Sequence, residues 1–178
     1  MIPGILVEQT TGRHLHEVYR DLVFDPLAMH GTWLEGHEPA RTPEVAHPYT
    51  GDLDWTTLDP TIDWAGGDSS PPHSTLARFV RGLWSESIVD SSGLNEMTHW
   101  TPGASFPAGH ALRYERYGLG MGSNTVEGIQ LLGHTGFIGA FAFYAPKYDA
   151  VLVGTHNDSQ VDRWPLVTAL CRELQKAA

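Results

Sequence analysis

Gly133-His134-Thr135-Gly136-Phe137-Ile138-Gly139-Ala140-Phe141 is the stretch that decides how the rest of the chain is read. Taken alone, it describes a strand with an imidazole and a hydroxyl at its lip. Its glycines either form a bulge or admit a ligand against the backbone. Outward from it, the period is that of strands. Two apolar segments flank Glu127-Gly128, a good hairpin turn, and Val151-Leu152-Val153 follows a turn at Pro146 to Asp149. From Tyr117 onward these features predict an antiparallel sheet of three or four strands. Asp162 to Gln175 then reads as a closing helix, with Pro165 in its first turn and Leu166, Leu170 and Leu174 on one face.

Upstream, the period is helical. Leu76, Phe79, Val80, Leu83 and Trp84 fall at i, i+3, i+4, i+7 and i+8, with Ser74 or Thr75 as the N-cap. A short helix is expected near Leu94 to Met97, between Gly93 and Pro102. Leu15, Val18, Tyr19, Leu22 and Val23 predict another, ended by Pro26. Ile5-Leu6-Val7 reads as the end of an apolar helix closed by Gly12, so the chain is expected to begin inside an element. From Asp25 to Ser70 there is no sustained period, only Pro39, Pro43, Pro48 and Pro60 and three anchoring tryptophans, Trp33, Trp55 and Trp64. So long an irregular segment in a compact domain usually serves a function, such as lining a site. Within it, Trp64-Ala65-Gly66-Gly67 would let the backbone approach a neighbour closely. The expected fold class is α/β (α+β), an antiparallel sheet flanked by helices, with residues 1–178 as one domain.

Composition narrows the function. The 178 residues carry a net charge of −10, and the eleven basic residues are scattered from Arg13 to Lys176. No basic patch results, which argues against a nucleic-acid or anionic-membrane partner. Six Trp, six Tyr and six Phe supply material for a packed core. The single cysteine, Cys171, forbids an intrachain disulfide and a multi-cysteine zinc site, and its setting beside the apolar helix face reads as a small core residue. Phe137 to Ala145, the longest apolar run, falls well short of the ~18 residues of a membrane span, and no secretory leader opens the chain.

The motifs of nucleophilic catalysis are missing. Ser-x-x-Lys needs a lysine one helical turn beyond the serine, and only Lys147 and Lys176 exist, preceded at that spacing by Tyr144 and Glu173. Gly-x-Ser-x-Gly is absent too, because Ser105 has Gly103 before it but Pro107 after it. Ten histidines invite a metal reading, yet His14 and His16 would face apart on a helix and no His-Glu-x-x-His spacing occurs. No cofactor and no metal are expected.

Several segments, in order, resemble the C-terminal part of the serine β-lactamase family in its class C-like branch, which includes D-Ala-D-Ala carboxypeptidases, D-amino-acid peptidases and β-lactamase-fold esterases. Gly4 to Gly12 looks like the helix after that family's Tyr-x-Asn motif. Phe24-Asp25-Pro26-Leu27-Ala28-Met29 with Thr32-Trp33 looks like its Pro-Leu-Gly-Met segment. Trp64 to Gly67 with Leu76-Ala77-Arg78-Phe79 resembles its glycine turn and the helix that follows. Tyr117-Gly118-Leu119-Gly120 leading into His134-Thr135-Gly136 is similar to its Lys/His-Thr-Gly strand. The resemblance implies a partial β-lactamase/transpeptidase-like fold in which this strand forms one wall of a site for a small amide or ester. The hydroxyl of Thr135 would hold the substrate carboxylate or carbonyl, and His134 would shape the electrostatics at the nucleophile. The N–H of Phe137, just after Gly136, would supply one oxyanion donor.

The departures are as informative. Neither Ser-x-x-Lys nor Tyr-x-Asn is present: Asn95, Asn124 and Asn157 have Gly93, Gly122 and Thr155 two residues before them. Asp68-Ser69-Ser70 stands where the family has a more apolar step. Three readings follow. The chain is the C-terminal part of a serine hydrolase, inactive alone; or a stand-alone hydrolase using a metal or a pair of His134 with a carboxylate; or a non-catalytic module that binds a ligand or assembles with itself. An open edge at Val151-Leu152-Val153 predicts self-association, or pairing with a complementary N-terminal chain.

Overall fold

Gly12 stops the first helix where the sequence expects it. The computed structural model describes residues 2–41, 46–59, 61, 64–66, 73–102 and 114–177. Helix α1 (Ile2–Thr11) ends as Gly12, at φ +67°, donates its N–H to the Glu8 carbonyl at 2.8 Å. The Glu8 carboxylate in turn accepts the Leu15 N–H at 2.8 Å, tying α1 to α2 (Leu15–Tyr19). α2 runs into a π-helical turn, Arg20–Phe24, that buries Phe24 while leaving Leu22 exposed. One helical face was expected through Val23; the wider turn re-aims it.

The irregular segment is anchored largely as expected. Trp33 is buried, and the Trp55 indole N–H donates to Thr50 Oγ1 at 2.8 Å across a small hairpin of β1 (Tyr49–Thr50) and β2 (Leu53–Asp54). Trp64–Gly66 forms a 3₁₀ turn. Gly67 and the 68–70 step lie outside the described residues, as do Pro43, Pro60, Gly103, Ser105 and Pro107. Helix α3 (His73–Trp84) begins one residue before the expected caps, so Ser74 and Thr75 sit inside its first turn. Helix α4 (Ser91–Met97) takes in Gly93 instead of starting after it, because the Asp90 carboxylate caps it by accepting the Gly93 N–H at 2.8 Å.

The sheet has six strands where three or four are expected. In order they are β3 (Thr101–Pro102), β4 (Arg116–Tyr117), β5 (Gly122–Val126), β6 (Ile129–Thr135), β7 (Phe141–Ala145) and β8 (Ala150–Gly154), each antiparallel to the next. β3 and β4 are two residues each, too short for alternation to reveal. Glu127 and Gly128, at φ +52° and +73°, make the turn joining β5 to β6, with both central residues left-handed as a tight hairpin requires. Helix α5 (Trp164–Ala177) starts where the Asp162 carboxylate accepts the Trp164 N–H at 3.1 Å.

Alternation sorts β7 into two layers. Phe141, Phe143 and Ala145 join Ile129, Leu131, Leu152, Val167 and Cys171 in the core beneath α5. Tyr144 stacks on Trp84 of α3 at 5.1 Å, and α3 lies against β7 and β8. One turn earlier in α3, Arg81 pairs with Asp149 in the turn before β8, and Tyr144 donates to the same carboxylate at 3.0 Å. Among the described residues no helix is long and apolar enough to cross a membrane.

Candidate active site

The end of β6 carries the expected wall. His134 lies opposite Ala142, whose small side chain leaves room for the imidazole, and Thr135 lies opposite Phe141. The imidazole Nε2 is 2.9 Å from the Tyr117 hydroxyl, and the rings of Tyr114 and Tyr117 stand 5.3 and 5.9 Å from that of His134. Burial pushes the His134 pKa below its usual value, with a backbone hydrogen bond at Thr135 opposing it. Burial raises both tyrosines. The imidazole is therefore neutral at pH 7, and its bond with Tyr117 can run in either direction according to tautomer.

Thr135 is 1% exposed and belongs to Tyr114. Its backbone N–H donates to the Tyr114 hydroxyl oxygen at 2.9 Å, and its own hydroxyl is 3.0 Å from the same oxygen. Space for this tyrosine comes from Gly122. A Cβ there would lie 2.0 Å from Tyr114 Cδ1, so only glycine lets the ring cover β5.

Beyond Thr135 the chain makes a short loop from Gly136 to Ala140. The Gly136 N–H donates to the Ala140 carbonyl at 2.8 Å and closes it. Phe137, at the tip, is 59% exposed, and its ring meets Trp55 edge-on at 5.8 Å. Its N–H has no hydrogen-bond partner among the described residues. Arg163, 1% exposed, donates from Nη1 to the Gly136 carbonyl at 2.7 Å.

Beside the wall, α3 and the sheet enclose a pocket of about 280 Å³. Phe79, Leu83, Trp84, Met121 and Leu132 line it, with His134 as its main polar group. Arg163 is the cation of this region: among the described residues no carboxylate makes an ion pair with it or with His134, and no three His, Cys, Asp or Glu side chains gather as a metal would require. Among the described residues His134 pairs with a tyrosine, where one of the alternative readings pairs it with a carboxylate.

Three residues that matter here escaped the sequence reading in this role: Tyr114, Arg163, and Tyr117 as the partner of His134. One signal was available for the tyrosines. Gly122 and Gly133 are register partners, a place where two adjacent strands lack side chains and large rings can lie. For Arg163 no local pattern exists.

Solved structures share the fold, among them the three that follow. A D-amino acid amidase from Ochrobactrum anthropi SV3, complexed with D-phenylalanine, superposes with a TM-score of 0.78 at 21% identity over 99% of this chain and 57% of its own. A D-stereospecific amidohydrolase from a Streptomyces species gives 0.75 at 24% identity, over 98% and 51%. A penicillin binding protein from Bacillus halodurans gives 0.69 at 19%, over 94% and 53%. This chain therefore spans about half the length of the structures it matches. At these identities the likeness shows the fold. The match to the family model described as Beta-lactamase runs over residues 2–168, nearly the whole sequence, and the chain belongs to that family.

Proposed function

We propose that this chain is the C-terminal, substrate-wall half of a serine hydrolase of carboxypeptidase or esterase type, and that it performs acyl transfer only when a nucleophile reaches its site from outside these 178 residues. One observation carries the reading: the Phe137 N–H, unpartnered among the described residues and on an exposed loop, directly follows the His134-Thr135-Gly136 strand end. A free backbone donor there can receive the negative oxygen of a tetrahedral intermediate. The neutral imidazole of His134, held by Tyr117, shapes the field at the attacking group without adding charge. Thr135 contributes to the carboxylate or carbonyl end of the ligand when its hydroxyl turns from Tyr114. The ligand class is a small amide or ester, in keeping with amide hydrolases among the structures sharing the fold.

The absent half would be supplied by a complementary N-terminal chain. Among the described residues β8 is an end strand, paired to β7 alone, and Ile2, Ile5 and Leu6 of α1 are exposed. An open strand edge and exposed apolar side chains each favour association, with that partner or with a second copy.

The test is the intact mass of the purified chain after incubation with a penicillin and with a p-nitrophenyl ester. The expected result is no adduct and no turnover alone, and acylation of the added chain when a polypeptide spanning the missing half is mixed in. A stable acyl group on a serine of this chain would overturn the proposal. Light scattering across a concentration series checks the edge: a clean monomer at high concentration would count against it.

A further inference from the structure

We infer that Arg163 is a positioning residue for the oxyanion donor: through its bond to the Gly136 carbonyl, it sets the direction of the Phe137 N–H. The inference rests on the role proposed above for that N–H.

Gly136 C=O and Phe137 N–H belong to one peptide unit. The unit is planar and trans, so its carbonyl and its N–H point in opposite directions. Holding one end aims the other. Arg163 Nη1 holds the carbonyl end at 2.7 Å, and the same nitrogen is 3.5 Å from the carbonyl of Ala140, at the other end of the loop. The Gly136 N–H to Ala140 bond closes the loop at 2.8 Å. Gly139, at φ +92°, fits against the Asp158 carbonyl, which a Cβ would meet at 3.0 Å, so the loop is braced there as well. The Phe137 N–H is thus turned away from the guanidinium and left without a partner among the described residues.

The chemistry of Arg163 fits positioning better than stabilisation. It is a buried cation that makes no ion pair among the described residues, with the neighbouring Asp162 carboxylate acting on it only through space, and its Nη2 is buried without a hydrogen bond among them. Burying a charge without an ion pair costs stability, and a neutral donor could close the same loop more cheaply. A cation behind the carbonyl adds something a neutral donor cannot. It polarises the peptide unit, strengthens the N–H at its far end, and places positive potential behind a developing oxyanion.

The experiment uses isotopically labelled chain, as wild type, Arg163→Lys and Arg163→Met. The Gly136 carbonyl carbon and the Phe137 amide are followed by NMR, and each protein is titrated with phenylphosphonate as an oxyanion probe. Arg163→Met is expected to shift Gly136 and Phe137 while the resonances of β5 and the C-terminal turns of α5 stay in place. It should also weaken the probe's effect on the Phe137 amide at least about tenfold. Arg163→Lys, which keeps the charge and loses the planar fork, should fall between. If Arg163→Met does not fold, Arg163→Lys carries the comparison. Unmoved Gly136 and Phe137 resonances in a folded variant, or equal probe affinity across the three proteins, would overturn the inference alone. A probe that leaves the wild-type Phe137 amide untouched would overturn the oxyanion-donor reading, and this inference with it.

Discussion

The hydroxyl of Tyr117 stands 2.9 Å from Nε2 of His134, making a neutral pair where an imidazole–carboxylate pair was one expectation. Because burial holds the His134 pKa down, the unfolded chain takes up a proton that the folded chain resists. Stability from this group is thus intact above the unfolded value of about 6.5 and falls as pH drops below it. His134→Gln removes that dependence. Urea unfolding of both proteins between about pH 7.5 and 5 should show the wild type losing ground to the variant on the acid side. Parallel curves would refute the neutral assignment.

Tyr114 accepts the Thr135 N–H and also meets the Thr135 hydroxyl. Tyr114→Phe leaves both groups buried and unsatisfied, at a cost of about 1–3 kcal/mol in unfolding free energy. Thr135→Val keeps the N–H bond and loses only the hydroxyl contact. A double-mutant cycle between the two should return a coupling of at least about 0.5 kcal/mol.

Gly122→Ala should displace the Tyr114 ring, since the added Cβ would lie 2.0 Å from Cδ1. Overpacking of this kind costs about 1–3 kcal/mol. In a Tyr114→Ala background the same substitution should cost far less. Equal costs in the two backgrounds would mean that the tyrosine is not what the glycine accommodates.

Cys171 is fully buried under the sheet, and its thiol is pushed up first by burial and then by Glu127. An aromatic disulfide reagent should react with it only as fast as the core opens, so its labelling rate should track unfolding across a urea series. Rapid labelling of the native chain would contradict the packing of α5.

What the sequence disclosed follows from how far each signal reaches. Periodic elements were legible: α3, the β5–β6 hairpin and α5 each repeat their apolar residues often enough to fix type and face. The His134-Thr135-Gly136 strand was legible by motif. β3 and β4 were not, since two residues cannot alternate. The partners of the motif were hidden for another reason. Tyr114, Tyr117 and Arg163 lie 21, 17 and 27 residues from the groups they hold, and only the tertiary fold brings them there.

The six strands stand in the sheet in the order in which they occur along the chain. From β4 onward each strand finds its partner in the next few residues, and α5 then covers the product. Such short-range pairing lowers contact order, the topological quantity that most slows folding. Residues 116–177 therefore form a segment able to assemble as one cooperative unit, ahead of and independently of the irregular stretch before α3. In native-state hydrogen exchange that segment should hold its amides longest, as the last part of the molecule to open and the first to close.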